Sequence, residues 1–238
     1  MQVLVFDLRG TLAHFRRPDT TSTHASYPFI TRTALRGLLA AVLGLDEWRG
    51  EAWTGLRLLA QPRTRVQQMS LLGKFFLESG GGEDKALNRP TSVELVVRPH
   101  YRIYFTGDHL EELTDRIREG RSTYHTYLGS AFALTFPAFV ALREASDLIL
   151  QPGQLVETMT VVPVHVIDEL RGLRDGAQYG RAGGMLYEHL GERRFQGTIN
   201  LIYEVSGNRP LSFTWREGQA APPVRIVQLV QGETAALW

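Results

Sequence analysis

The chain has 238 residues, of which 43% are hydrophobic, and its 26 basic and 25 acidic side chains leave a net charge of only +1. This length fits one large domain or two small ones, and the near-zero charge argues against bulk electrostatic binding of nucleic acid. Cysteine is absent, which excludes disulfides and thiolate metal sites and fits a reducing compartment. Because no apolar run reaches the ~18 residues of a membrane span and no secretory pattern opens the chain, we expect a cytoplasmic protein without membrane contact.

The charge is distributed unevenly along the chain. Residues 1–75 carry nine Arg and one Lys against five acidic residues, a local charge of +5, so the remainder sums to −4. An asymmetry of this kind favours one basic face for phosphates and a second face for other partners.

A short apolar strand is predicted at the start, from Val3 to Phe6. A polar connector (residues 10–30) leads from it toward an apolar helix, and cations and aromatic rings alternate there with hydroxyl side chains. This mixture is typical of a segment that contacts a phosphate backbone and unstacked bases, although a solvated loop can have the same composition. The side chains that carry this interpretation are His14, Phe15, Arg16, Arg17, His24, Tyr27 and Arg32.

The end of the first strand also resembles the opening motif of haloacid-dehalogenase-type phosphatases. That motif needs two aspartates two positions apart, one as nucleophile and one as general acid. Asp7 is present, but Arg9 occupies the second position, and a guanidinium with a pKa above ~12 cannot exchange a proton near neutral pH. A phosphatase is therefore only a minor alternative.

An apolar helix is predicted next, with Thr31 or Thr33 as its N-cap and Gly44 at its end. Arg32 and Arg36 lie four residues apart near its start. A cation there opposes the helix dipole, and a docked phosphate would offset that cost. The alternative is that both side chains extend into water.

The segment 61–89 is predicted to form a protruding arm, because three consecutive glycines give it a flexible tip. A surface insertion without a role is the alternative. A turn-rich link at 45–54 and a strand at 56–60 precede the arm, and strands at 93–98 and 101–106 follow it. An amphipathic helix at 108–119 and a strand set within 123–140 come next.

This order of elements matches a ferredoxin-like βαββαβ fold, on which many RNA-recognition modules are built. From residue 148 onward the pattern is mostly β, and strands are predicted at 148–150, 156–166, 198–205, 211–215 and 224–230. Residues 172–197 are rich in Gly and Arg but lack the spacing of a phosphate-binding GxGxxG motif. We therefore predict an α+β chain. Residues 1–147 are predicted to form a ferredoxin-like domain with an arm inserted at about 61–89, and residues 148–238 a β-rich region packed on it.

Several motifs carry a resemblance to a known family. Gly10-Thr11-Leu12-Ala13-His14-Phe15-Arg16 is followed by Ser26-Tyr27-Pro28 and by TALRGLLAAVLGL at 33–45. Arg89-Pro90, the strand pair at 93–104 and Tyr127-Leu128-Gly129 follow in the same order. The chain resembles the CRISPR-associated RAMP protein that caps the 5′ end of the guide RNA in type I Cascade complexes, the Cas-five family. The match covers roughly residues 1–130, and beyond about residue 150 it is only general.

The resemblance implies a subunit that grips the repeat-derived 5′ handle of the guide RNA. The arm would contact the Cascade backbone subunit and another face would hold the large subunit, while contact with target DNA near the protospacer-adjacent motif is left open. By motif position it implies RNA contact at His14, Phe15, Arg16, Tyr27 and Arg36. Charge and proximity add Arg9, Arg17 and Arg32, and the candidate arm contacts are Arg63, Arg65 and Lys74.

Some branches of the resembled family cut precursor RNA without a metal, which needs a base near a 2′-hydroxyl and groups that stabilise the leaving oxygen. Suitable side chains occur, but no spacing groups them into one site: His14, His24, Tyr27, Lys74, His100 and His125. We therefore predict a binding subunit without catalytic residues and keep a metal-independent endoribonuclease as the alternative. The seven histidines show no short ligand spacing, so neither a metal nor a cofactor is predicted.

Overall fold

The computed structural model describes residues 1–20, 22–74, 86–172, 176–192, 194–216, 222–230 and 232–238, with residues 71–74 and 86–89 described by their backbone alone. These residues form two α-helices, α1 (Arg32–Leu43) and α2 (Leu110–Arg118), and sixteen strands. The strands of the first half are β1 Gln2–Arg9, β2 Leu12–Ala13, β3 Thr23–His24, β4 Ala52–Leu58, β5 Thr64–Lys74, β6 Ala86–Val97, β7 His100–Gly107 and β8 Ala138–Asp147. Those of the second half are β9 Leu155–Thr158, β10 Val162–Pro163, β11 Ile167–Leu170, β12 Tyr179–His189, β13 Phe195–Glu204, β14 Leu211–Trp215, β15 Arg225–Leu229 and β16 Thr234–Leu237. The prediction of a mixed chain is confirmed, with strands predominating.

A six-stranded sheet in the order β16-β15-β8-β1-β7-β4 organises the chain. The apolar strand β1 lies at its centre, antiparallel to both β7 and β8. Because side chains alternate along a strand, Leu4 and Phe6 face the core formed with the helices, while Val3 and Val5 face a second cluster that includes residues of β15 and β16. Burial on both faces explains why β1 reads as a continuous apolar run.

Helix α1 begins and ends as its sequence predicts. The Thr31 hydroxyl accepts a hydrogen bond from the backbone N–H of Ala34, and Gly44 ends the helix in the left-handed region with φ of +80°. The apolar face of α1, including Leu38 and Leu39, packs into the core. Helix α2 lies within the predicted 108–119 segment and contacts both α1 and β8.

Three local predictions are wrong. The turn-rich link predicted at 45–54 ends earlier, because β4 begins at Ala52. Within 123–140 only β8 is a strand of any length, because the preceding loop satisfies its own hydrogen bonds: Leu128 N–H donates to Ala133 O (2.8 Å) and the Thr126 hydroxyl donates to Thr135 O (2.5 Å). No strand forms at the predicted segment 148–150.

The predicted arm corresponds to a long antiparallel hairpin of β5 and β6. Its register runs from Thr64 opposite Val96 to Lys74 opposite Ala86. The glycine tip at 80–82 lies outside the described residues. Two short strands of the connector dock on the base of this hairpin, so β6 belongs to a four-stranded sheet together with β2, β3 and β5.

The β-rich second half folds back onto the first. Two three-stranded sheets, β10-β13-β12 and β11-β14-β9, occupy its middle, and β12 is a strand that the sequence analysis did not predict. The last two strands then complete the central sheet, since β15 pairs with β8 through Val227 opposite Asp147 and β16 pairs with β15. The boundary predicted between residues 147 and 148 stays a prediction, although the central sheet takes strands from both sides of it.

Candidate nucleic-acid interface

The connector is fixed to the hairpin base by backbone pairing. Strand β2 runs antiparallel to β6, with Leu12 opposite Val97, and β3 runs parallel to β6, with Thr23 opposite Ser92. Gly129 supports the connector from the other side. It adopts φ of +81°, and a Cβ there would lie 2.1 Å from the His14 carbonyl oxygen, so only glycine fits this approach.

Three of the predicted contacts on the connector point inward. Phe15 is buried and its ring lies 6.3 Å from that of Tyr101. Tyr27 is buried, its hydroxyl donates to the Gly184 carbonyl oxygen (2.8 Å), and burial raises its pKa. His14 is 7% exposed, with Nδ1 2.8 Å from the Glu94 carbonyl oxygen and its ring 6.5 Å from the ring of the half-buried His24.

The tautomer of His14 follows from its partner. Because the Glu94 carbonyl can only accept, Nδ1 carries a proton, and in the neutral ring Nε2 is left as an acceptor. Nε2 is buried and has no partner among the described residues. The structure therefore assigns His14 a position beneath the connector rather than on its surface.

Arg16 and Arg17 of the connector and Arg9 at the end of β1 lie at the surface. Arg16 is exposed, and its side chain donates a weak, 3.5 Å hydrogen bond to the Thr20 carbonyl oxygen. Arg9 is exposed and its Nε donates to His100 Nε2 (2.9 Å). Arg17 forms a two-pronged ion pair with Asp19 (2.7 and 3.1 Å), which raises the pKa of Arg17 and lowers that of Asp19.

Arginines of the hairpin base lie next to these. Arg63 O accepts a hydrogen bond from Val97 N–H (2.8 Å), beside the point where Leu12 pairs with the same residue. Arg98 N–H donates to Thr11 O (2.9 Å), and Arg98 adopts a left-handed φ of +49°, which costs a non-glycine residue roughly 1–2 kcal/mol. We call five exposed arginines, none of which has an ion pair with a described residue, the basic edge. They are Arg9, Arg16, Arg63, Arg65 and Arg98.

Arg98 is the member that the sequence analysis missed. The Arg98-Pro99 pair was visible as part of the family resemblance, but nothing local marked its side chain as a contact. Strain at a non-glycine residue is a common mark of a functional position, and only the backbone angles reveal it. Arg63 and Arg65 were predicted as arm contacts and are exposed at the hairpin base, across β6 from the connector strand β2. The side chain of Lys74 lies outside the described part of the hairpin.

The two predicted arginines of α1 are buried. Arg32 is 6% exposed, donates to the Trp238 carbonyl oxygen (2.6 Å) and lies over the ring of Tyr187 (4.7 Å). Arg36 is 9% exposed and pairs with Glu188 of β12, and Arg32 lies 3.8 Å from the same carboxylate. Burial lowers the pKa of Arg32. These cations bind the helix to the second half of the chain.

A groove of about 610 Å³ runs along the exposed side of α1. One wall carries Tyr124, His125 and Tyr127 from the loop after α2, and the other carries His189 and Phe195 from the β12–β13 hairpin. His189 Nδ1 lies 3.3 Å from a carboxylate oxygen of Glu47, which orients the ring. His125 and His189 thus line the same groove, although they are too far apart in sequence for a local spacing to group them.

The phosphatase alternative is wrong on the geometry. Asp7 lies within β1, is 6% exposed and accepts hydrogen bonds from Nε and Nη2 of the Arg102 guanidinium (2.9 and 3.1 Å). A buried carboxylate in a two-pronged ion pair is not free to attack phosphorus. Among the described residues, no cluster of three acidic or histidine side chains is suited to hold a metal ion, and no described helix is long and apolar enough to cross a membrane.

Two solved structures that resemble this chain are described as CRISPR proteins. A chain described as "CRISPR RNA-guided surveillance complex" matches with a TM-score of 0.53 and 13% identity, over 89% of this chain and 91% of that one. A CRISPR protein from Archaeoglobus fulgidus matches with a TM-score of 0.58 and 11% identity, over 99% of each chain. At such identities the likeness concerns the fold, which is that of CRISPR-associated proteins.

Sequence comparison defines the family. The family model described as "CRISPR-associated protein (Cas_Cas5)" matches residues 3–150, and the chain therefore belongs to the Cas5 family, as the resemblance predicted. A relative from Thermus thermophilus, named "CRISPR pre-crRNA endoribonuclease Cas5d", is 29% identical over 140 residues. That match covers 55% of this chain, and this chain spans 59% of the relative's length.

Proposed function

We propose that the chain is the RNA-binding subunit of a type I CRISPR effector complex and that it caps the 5′ handle of the guide RNA. The observation that carries the proposal is the basic edge, in which exposed arginines of β1, the connector and the hairpin base have no ion pair with a described residue. We infer further that the core is ferredoxin-like. Its elements follow the βαββαβ order as β1, α1, β4, β7, α2 and β8, and its four strands lie side by side as β8-β1-β7-β4.

The chemistry of the basic edge suits a phosphodiester backbone. A guanidinium presents a planar fork of donors that matches two phosphate oxygens, and an exposed cation without an internal partner loses no ion pair when RNA binds. We propose that Arg9 of β1 and Arg16 of the connector contact the RNA, together with the arginines of the hairpin base, and that Arg17 joins them when its ion pair with Asp19 opens. His14, Phe15 and Tyr27 act as positioning residues beneath them, since their side chains are buried.

The test is RNA binding across a salt series. We expect an RNA that begins with the repeat-derived handle to bind more tightly than the same RNA without it. Changing Arg16, Arg63 and Arg98 together to Ala should reduce the slope of log Kd against log salt by about two units, at roughly 0.7 per phosphate contact on a single strand. Arg118→Ala is the matched control, because Arg118 is exposed but paired with Asp115 on α2. An unchanged slope in the triple variant would refute the proposal.

We propose two surfaces for protein partners. The first is the β5–β6 hairpin, which would contact the backbone subunit as predicted for the arm. The segment 122–142 contains no Asp, Glu, Lys or Arg and exposes Phe132, Leu134 and Phe136, which suits a protein surface such as the large subunit better than a polyanion. Changing these three residues to Ser should impair assembly of the complex and spare RNA affinity. Contact with target DNA stays a prediction.

A second candidate function is metal-independent cleavage of precursor RNA in the groove beside α1. The specific observation that favours it is the orientation of His189 by Glu47 opposite His125. With Nδ1 held by the carboxylate, His189 Nε2 would take the proton of a 2′-hydroxyl. The 2′ oxygen then attacks the adjacent phosphorus, the bond to the 5′ oxygen breaks, and His125 protonates that oxygen. The products are a 2′,3′-cyclic phosphate and a 5′-hydroxyl.

Incubation with repeat RNA in EDTA separates the two functions. Cutting at one position that is lost in both His125→Ala and His189→Ala, while handle binding is retained, would establish cleavage. Phe195→Ala serves as a groove control without a titratable group. If the parent protein leaves the RNA intact, the second candidate is excluded and the binding function stands alone.

A further inference from the structure

Strand β12 contains an irregularity at its centre that the binding function does not yet use. The pairing of β12 with β13 shifts register between Ala182 and Met185. The intervening Gly183 and Gly184 are left out of the ladder, and Gly184 adopts φ of +68° with nothing within 4 Å of the position a Cβ would take. This bulge therefore presents bare backbone to solvent.

The bulge is in direct contact with the connector. The buried ring of Tyr27 spans the two, because its hydroxyl donates to the Gly184 carbonyl oxygen (2.8 Å). On the connector side, the Arg17 guanidinium lies 5.7 Å from the centre of the same ring. A strand that follows the connector past Arg17 would therefore meet the bulge next.

The polar groups around the bulge are hydrogen-bond donors. Asn200 Oδ1 accepts from Gly184 N–H (3.0 Å), which fixes the amide orientation and leaves its NH₂ group without a partner among the described residues. The Arg181 side chain is exposed, forms no ion pair with a described residue, and its Nε lies 3.9 Å from the position of a Gly183 Cβ. One guanidinium and one amide thus border a patch of open backbone.

We propose that this glycine bulge, with Arg181 and Asn200, is a second RNA subsite that binds a phosphate of the same strand after it leaves the connector. The inference rests on the proposed RNA-binding function and gives the second half of the chain a part in it. The Asn200 amide donor and the exposed Arg181 cation, with no carboxylate among these contacts, suit a phosphodiester. The absence of side chains at 183 and 184 lets the RNA backbone approach closely.

Asn200→Asp is the most discriminating variant. It keeps the oxygen that accepts from Gly184 N–H, so the bulge retains its shape, but it replaces the amide donor with a negative charge. We expect it to weaken binding of the handle RNA by about tenfold, since an unfavourable charge replaces a hydrogen bond worth roughly 1.4 kcal/mol. Arg181→Ala should weaken binding several-fold and reduce the salt slope by about 0.7. Arg143→Ala is the control, because Arg143 is another cation without an ion pair to a described residue but lies on β8.

The outcomes separate the two proposals. Weaker RNA binding in both subsite variants, with Arg143→Ala unchanged, supports the subsite. If Arg16→Ala weakens binding while both subsite variants match the parent, the subsite is refuted and the connector function survives. If the subsite variants impair only assembly with protein subunits, the bulge contacts an acidic protein surface and the RNA subsite is refuted. If the parent protein binds no handle RNA, both proposals fail together.

Discussion

Two groups of arginines in this molecule share the same side-chain chemistry but lie in different environments. Arg32 and Arg36 are buried against Glu188 and Tyr187, whereas the basic edge is exposed and has no ion pair among the described residues. Glu188 neutralises the buried pair inside the chain, so the two cations hold α1 against β12. The comparison teaches that a cation is available to RNA only where the fold supplies no carboxylate.

The support beneath the exposed group gives the largest expected effect. Gly129→Ala combines a left-handed backbone with a clash against the His14 carbonyl oxygen, so we expect a loss of about 3 kcal/mol in the free energy of unfolding and weaker RNA binding as the connector shifts. Urea denaturation measures the first effect. Gly120→Ala is the control, because Gly120 has φ of +64° with open space around it, and should cost about 1–2 kcal/mol.

Removing Glu188 tests the buried group. Glu188→Ala would leave two buried guanidiniums unpaired, and we expect a loss of about 2–3 kcal/mol in unfolding free energy, below the range for fully buried pairs because the Glu188 side chain is 27% exposed. RNA affinity of the folded protein should stay the same. Asp115→Ala, which breaks the exposed pair with Arg118, should cost less than about 1 kcal/mol. Equal losses in the two variants would erase the distinction between the groups.

Arg17 lies between the two groups, since it is partly exposed but paired with Asp19. Asp19→Asn should release it for RNA, with handle affinity rising about threefold and the salt slope increasing by less than one unit. Stability should change little, because the pair is solvent-exposed. The same rise in an Arg17→Ala background would mean that Asp19 acts by general repulsion and that Arg17 is not the released contact.

The smallest expected effect is a pH dependence at His100, the first residue of β7. Burial, helped by the charge of Arg9, lowers the pKa of His100, so the unfolded chain takes up the proton before the folded protein does. This contribution to stability is complete above the unfolded pKa of about 6.5 and is lost as the pH falls from there toward the folded value. Comparing urea midpoints at pH 7.5 and 5.5 in the parent and in His100→Gln measures it. A fall of equal size in both proteins would assign the dependence to other groups.

The sequence by itself determined the elements whose patterns are local. The apolar run of β1, the capped helix α1 between Thr31 and Gly44, the amphipathic helix α2 and the existence of a long hairpin all follow from periodicity and end signals that act over a few residues. The connector was found because its composition is unusual, and the family because its motifs are short and ordered. The loop at 123–137 has a composition typical of strands, but hydrogen bonds within the loop satisfy its polar groups, so the predicted strands do not form.

Only the tertiary structure decided which charges are free. Glu188 lies 152 residues from Arg36 in sequence, and Glu47 is equally remote from His189, so no local pattern could show that these groups meet. The same holds for Arg98, whose place on the basic edge depends on the pairing of β2 with β6. Burial and ion pairing are properties of the packed chain, and they separate residues of one chemical type into buried, paired cations and exposed ones.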